Sequence, residues 1–168
     1  MAALAHLGVG LAAKRINTKI PLYILILSAW AGDIIWTMFF LLGVESYPSS
    51  GKAAPSPWSH GLFMNIIWAL AAAAITWLIS RRKGVSVFIG LLVFSHWAID
   101  LLTHPMRAVM PDDPPLPLFF EGSASAGLGL YSTQLGVNLG EYGSLAVGII
   151  FYALALRKIK RENLRGNS

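Results

Sequence analysis

The sequence contains no cysteine and very little charge. Without cysteine the chain can form no disulfide and offers no thiolate, so any metal site would need histidine and carboxylate ligands. Charged residues make up 12% of the 168 residues, whereas soluble domains carry about a quarter. Apolar residues make up 55%, and the mean hydropathy is +0.61. These values exclude an ordinary soluble domain and a disordered chain, and they predict a membrane protein.

Four segments are long and apolar enough to cross a bilayer, since a hydrocarbon core of about 30 Å needs roughly 20 mostly apolar residues in a helix. A fifth apolar stretch covers residues 1–13, but at about 20 Å it is too short for a crossing and predicts a short membrane-embedded helix. No internal repeat or low-complexity tract interrupts the chain. The sequence therefore predicts one all-α polytopic domain over residues 1–168. The four predicted spans are Ile20–Val44, Gly61–Ser80, Val85–Thr103 and Leu139–Leu156.

Lysine and arginine occur mainly in three clusters beside the apolar segments. The positive-inside rule places all three on the cytoplasmic side, with residues 45–59 and 105–138 as outer loops and residues 157–168 as a cytoplasmic tail. The net charge of +5 therefore indicates topology and contact with membrane lipids, and does not favour nucleic acid as a partner. The clusters are Lys14, Arg15 and Lys19; Arg81, Arg82 and Lys83; and Arg157, Lys158, Lys160, Arg161 and Arg165.

Several ionisable residues lie inside the predicted spans, where each costs several kcal/mol by most estimates and usually has a partner, a cavity or a function. Asp33 lies in the middle of the first span. His96 and Asp100 are four residues apart in the third span and therefore share one helix face, with His104 on the same side. His60 comes directly before the second span.

Counting from the basic clusters at 1.5 Å per residue gives the depth of each group. His96, Asp33 and Glu141 lie about 20–24 Å from the cytoplasmic boundary, and Asp100 about 25 Å. His60 comes out at about 31 Å. The short N-terminal helix contributes His6 if Lys19 marks the boundary. These groups therefore form one layer in the outer half of the membrane.

Imidazoles and carboxylates at one level predict a divalent metal site. Such a ligand set suits zinc, and also manganese or iron, and a cation would compensate the buried carboxylates. Structural hydrogen bonding between helices is the alternative interpretation of the same residues. Gly140, Ser144 and Gly148 recur every four residues, a pattern typical of a helix contact.

The segment Ser95–Thr103 resembles the S-H-x-x-x-D-x-x-T segment of the YdjM-type membrane-bound proteins, a family described as metal-dependent hydrolases. Further matches are a histidine in a small-residue helix at Ala5–Gly8, the aspartate Asp33, and a histidine after serine at Ser59–Leu62. The resemblance implies His6, Asp33, His60, His96 and Asp100 as metal ligands.

A closer resemblance is to a subgroup of small bacterial membrane proteins. Its motifs P-Y-S-H-S-L, S-H-W-x-x-D-x-x-x-H and G-L-G-L-W correspond here to Pro57–Leu62, Ser95–His104 and Gly127–Tyr131, and its last helix begins near a glutamate, here Glu141. Broader family members carry a histidine and an arginine where this chain has Pro55 and Ser56, so a second metal site is not implied. The resemblance implies a bacterial cytoplasmic membrane.

These observations favour a hydrolase that opens outward and acts on a lipid or lipid-linked ester or phosphoester. In this hypothesis Glu141 or His104 acts as acid or base, and Asp33 is a ligand or a partner of one. Two alternatives remain: a proton or divalent-metal transport protein, and a haem held by His60 and His96. The calculated depths of those two histidines differ by about 11 Å, which disfavours a haem.

Overall fold

A computed structural model of the chain describes residues 2–46, 56–120 and 122–166. Part of the predicted outer loop 45–59 lies outside these residues. The described chain is mainly helical, as expected, with one short pair of strands. The helices are α1 (Ala3–Ile16), α2 (Leu22–Ala29), α3 (Ala31–Leu41), α4 (Leu62–Ser80), α5 (Lys83–Thr103), α6 (Gln134–Asn138) and α7 (Ser144–Gly166), and the strands are β1 (Leu116–Pro117) and β2 (Ser125–Ala126).

Three helical stretches of the described chain are long and apolar enough to cross a membrane. They are α4, α5 and a continuous stretch, Gln134–Arg165, that includes α6 and α7. The pair α2 and α3 counts as a fourth if its two halves form one span, since they meet at an angle of 63°. The described chain therefore has four spans if the bent pair crosses the membrane as one span, and three if it does not.

The predicted single helix over Ile20–Val44 is wrong in one respect, because the chain breaks at Trp30. Pro21 precedes α2, where its missing N–H costs nothing. Trp30 departs from helical geometry (φ −95°, ψ 5°) and separates α2 from α3. The break places Asp33 in the first turn of α3.

The last helix is longer than the predicted Leu139–Leu156. It begins at Gln134, where the Thr133 side chain accepts a hydrogen bond from the N–H of Gly136, and it continues through most of the predicted tail to Gly166. A π-helical segment, Leu139–Gly143, joins α6 to α7. Ion pairing between Lys158 and Glu162, four residues apart, is compatible with helix in the polar tail.

The predicted outer loop 105–138 contains regular structure. It contains the antiparallel pair β1 and β2, in which Leu116 faces Ala126, and a 3₁₀ turn at Leu130–Ser132. Its proline-rich part is free of helix, as the sequence predicts.

Small residues let the helices pack closely around the interior. A Cβ on Gly8 of α1 would lie 2.3 Å from the carbonyl oxygen of Ser144, and a Cβ on Gly148 would lie 2.4 Å from the carbonyl oxygen of Gly8. The predicted helix contact is therefore confirmed for Ser144 and Gly148, whereas Gly140 of the same pattern packs against Tyr131. Helices α4 and α5 form an antiparallel hairpin with a similarly close approach at Gly90. An apolar core lies towards the basic end of the bundle, formed by Ala13, Ile20, Leu25, Ala29, Ile89 and Leu92.

Candidate metal centre

His96 and Asp100 lie one turn apart on α5, and both point into the bundle. Their side chains are 0% and 3% exposed, and His96 Nε2 is 3.3 Å from Asp100 Oδ2. The spacing of four residues predicted a shared face, and the structure confirms that this face is buried.

The break between α2 and α3 makes room for His96. The carbonyl of Ala29, at the end of α2, accepts a hydrogen bond from His96 Nδ1 at 3.0 Å. Gly32 lies against the same ring, and a Cβ at that position would come within 2.2 Å of His96 Cδ2. His96 therefore occupies its position only because residue 32 has no side chain.

His60 comes from the turn that precedes α4 and completes the group. Its Nε2 lies 3.5 Å from Asp33 Oδ1, 3.5 Å from Asp100 Oδ2 and 3.5 Å from His96 Nε2. His96 Nε2 also lies 3.9 Å from Asp33 Oδ1. Two imidazoles and two carboxylates from three parts of the chain thus converge on one point.

The hydrogen bonds behind the two rings fix their tautomers. His96 Nδ1 must carry its proton because its partner is a carbonyl oxygen, which leaves a lone pair on Nε2. The Ser59 hydroxyl donates to Glu45 Oε2 at 2.6 Å and therefore accepts from His60 Nδ1 at 2.7 Å. His60 Nε2 then also carries a lone pair. Two lone pairs face each other at 3.5 Å with two carboxylate oxygens beside them, an arrangement that a cation would stabilise.

The distances between these four acceptor atoms fit a small divalent cation. Four ligands bound at 2.0–2.1 Å in a tetrahedron are separated by about 3.4 Å. The five separations given above range from 3.3 to 3.9 Å. The donor set of two nitrogens and two oxygens is one that zinc accepts, as do manganese and iron.

His6 of α1 also lies against this group, next to His96 and Asp100. Its ring stacks on that of His96 at a centroid distance of 3.8 Å, and its Nε2 lies 3.3 Å from Asp100 Oδ1. Neither ring nitrogen of this buried side chain has a hydrogen-bond partner among the described residues. Two overlapping groups could hold a metal, His6 with His96 and Asp100, and Asp33 with His60 and His96. Both use His96, which has only Nε2 to offer, so the geometry favours one cation.

Glu141, a candidate acid or base, does not join this group. Its Oε2 accepts hydrogen bonds from the backbone N–H groups of Leu4 and Ala5, at 2.7 and 3.1 Å. A carboxylate at this end of α1 satisfies free N–H groups and interacts favourably with the helix dipole. Burial and the neighbouring Glu141 both raise the pKa of Tyr131. These contacts favour a structural role for Glu141.

His104, the other candidate, connects the end of α5 to the outer loop. Its Nδ1 lies 3.2 Å from the carbonyl oxygen of Asp100, and its Nε2 lies 3.7 Å from Asp113 Oδ2. Asp113 in turn accepts a hydrogen bond from the N–H of Met106. Burial lowers the pKa of His104, although Asp100 and Asp113 act in the opposite direction.

Sequence reasoning missed Glu45 and Ser59. Glu45 is 5% exposed and accepts hydrogen bonds from the N–H groups of Trp58 and Ser59 as well as from the Ser59 hydroxyl. An acid at the end of an apolar segment looks like a loop residue, and nothing in the spacing connects it to His60. The serine directly before a histidine was the one available signal.

We expect Ser59→Ala to weaken metal binding about 10–100-fold, because partners that orient a ligand typically contribute that much. The substitution removes the acceptor of His60 Nδ1 and the link to Glu45. Ser95→Ala is the matched control, since among the described residues the Ser95 hydroxyl donates to the carbonyl of Leu92 in its own helix. Competition for zinc with a fluorescent zinc chelator measures the zinc affinity of both variants. Equal affinity in the two variants would contradict this assignment.

Comparison of the chain with protein families, with curated proteins and with solved structures finds no match.

Proposed function

We propose that this protein is a membrane-embedded metal-dependent hydrolase. Its substrate would be a lipid or a lipid-linked ester or phosphoester at the outer side of a bacterial cytoplasmic membrane, and its C-terminus would be cytoplasmic. The metal would be a divalent cation, with zinc favoured over manganese or iron. His60, His96, Asp33 and Asp100 would hold it, with His6 as a fifth ligand or as a partner of Asp100.

One observation carries the proposal: two imidazole lone pairs and two carboxylate oxygens face one another at 3.3–3.9 Å inside an apolar bundle. Buried groups of this kind would repel one another without a cation or additional protons. A purely structural network would place a donor opposite each acceptor, as it does behind His96 and His60.

The two sides of the group differ in exposure. The side chains of His6, His96 and Asp100 are 1%, 0% and 3% exposed, whereas those of His60 and Asp33 are 13% and 14% exposed. A substrate would therefore approach beside His60 and Asp33. Exposed apolar residues lie near both of them in sequence, Ile34 directly after Asp33 and Phe63 three residues after His60. This setting favours a substrate with an apolar part.

A bound divalent cation would polarise the ester oxygen and lower the pKa of a water molecule towards 7. Asp33 is the best-placed residue to move the proton, because it is the most exposed carboxylate of the group and lies farthest from His96. It would take the proton that water loses on forming the new bond to carbon or phosphorus. As the old ester bond breaks, Asp33 would return that proton to the leaving alcohol oxygen.

The structure gives less support to transport and to haem binding. Between the group and the basic end lies the apolar core that contains Leu25, Ala29 and Leu92, so an ion would have no polar path along this line. A haem would need space between His60 and His96, but Asp33 and Asp100 lie within 3.9 Å of their nitrogens.

The test is hydrolysis by zinc-loaded protein in detergent. The panel comprises nitrophenyl esters with short and long acyl chains, bis(nitrophenyl) phosphate, and a polyprenyl monophosphate. We expect metal-dependent turnover that favours the long-chain substrates. Asp33→Asn should lower kcat per bound metal about 10²–10⁴-fold, the usual contribution of a proton-transferring group, and should also weaken metal binding, because Asp33 is one of the proposed ligands.

Asp112→Asn is the matched control, because this exposed aspartate lies in the outer loop and makes no contact with the group among the described residues. It should turn over at the unsubstituted rate. Absence of metal-dependent turnover on every member of the panel would overturn the proposed activity.

A further inference from the structure

A cavity lies at the basic end of the bundle, away from the candidate metal centre. It has a volume of about 590 Å³, within the 300–1,000 Å³ typical of ligand pockets. It lies where the start of α2, the end of α4 and the start of α5 meet. Counted along α5, the lining residue nearest to His96 is Ile89, seven residues before it, which corresponds to about 10 Å. The cavity is therefore separate from the candidate metal centre.

The walls of this cavity are apolar and its rim is cationic. Ile20, Ile24 and Ile89 form part of the apolar wall, and Lys19 and Arg82 lie at the rim. Both rim residues are exposed, and neither forms an ion pair with an acidic residue in the described part of the chain. The neighbouring cations are engaged differently, since Lys14 donates to the carbonyls of Thr18 and Ile20, and Arg81 lies over the Trp77 ring.

We propose that this cavity binds an anionic phospholipid. The phosphate group would lie between Lys19 and Arg82, and one acyl chain would extend along the isoleucine wall. Two features support this occupant over a zwitterionic lipid or a free anion. Two uncompensated cations at one rim match a headgroup of net negative charge. A small anion would leave the apolar part of the cavity unfilled, whereas an acyl chain would fill it.

The test uses the full-length protein purified in detergent and titrated with phosphatidylglycerol or with phosphatidylcholine of the same acyl chains. Native mass spectrometry measures bound lipid. We expect selective retention of phosphatidylglycerol. The double variant Lys19→Gln, Arg82→Gln should lower its affinity about 30-fold, as expected for the loss of two cationic contacts, and leave the weak binding of phosphatidylcholine unchanged.

The control is Arg157→Gln, Lys160→Gln, which removes two positive charges from α7 away from the cavity. Retention of phosphatidylglycerol by this control supports a specific site. Equal losses in both double variants would show diffuse charge attraction and would overturn the proposal, as would equal binding of the two lipids. Displacement of the lipid by inorganic phosphate would also overturn it, because the acyl chain would then contribute nothing.

Metal content is measured in parallel and should not change in either variant, so this result is independent of the proposed hydrolase activity.

Discussion

His96→Ala should leave the purified protein almost without metal. This residue supplies the most buried nitrogen of the group and contacts Asp33, His60 and Asp100. We expect zinc to fall from about one equivalent per chain to below about a tenth, because two facing carboxylates and one remaining imidazole bind far more weakly. Elemental analysis of detergent-purified protein measures the metal, and circular dichroism checks that the helices are retained.

His104→Ala is the matched control for this substitution. It removes an imidazole eight residues along the chain that bonds to a backbone carbonyl and lies near Asp113, outside the converging nitrogens and oxygens. The His104 variant should keep its zinc. If the His96 variant also keeps wild-type zinc, these residues are not a metal centre, and the group is a hydrogen-bonded structural cluster.

Removal of the metal by a chelator should strongly destabilise the protein. A ligand that binds only the folded state at 1,000 times its Kd contributes about 4 kcal/mol, and the empty group would add repulsion between lone pairs. We expect a large drop in the temperature of thermal unfolding in detergent, reversed when zinc is added back.

The His96→Ala protein provides the internal control for chelation. It should unfold at a lower temperature than the unsubstituted protein, and the chelator should not lower it further. A chelator effect of equal size in both proteins would point to an effect on the detergent or on a different metal site.

Simple periodicity predicted the part of the centre that lies on one regular helix. His96 and Asp100 are one turn apart, and their shared face is buried as expected. Depth counting also placed Asp33 at the right level, although its span is bent. For His60 the same arithmetic gave a depth about 11 Å beyond that of His96. The count treated the chain back to His60 as continuous helix, whereas Gly61 is extended and His60 lies in a turn, with its Nε2 3.5 Å from His96 Nε2.

The break at Trp30 could not be predicted from local sequence. No proline interrupts Leu22–Leu41, and Asp33 is its only charged residue. The break becomes understandable only in three dimensions, because His96 needs both the free carbonyl of Ala29 and the open space beside Gly32. The same holds for Glu141, whose position in an apolar segment suggested chemistry, whereas its partners are backbone groups of α1.

The capping of α1 by Glu141 has a consequence for how the protein is made. His6 precedes Glu141 in the chain and is therefore synthesised first, but the carboxylate that holds the start of its helix belongs to the helical stretch Gln134–Arg165. The close packing of Gly8 against Gly148 likewise forms only after that stretch has been synthesised. His6 therefore reaches its final place only after Glu141 and Gly148 have been synthesised, so a cation held by His6 together with His96 and Asp100 would be bound after that step.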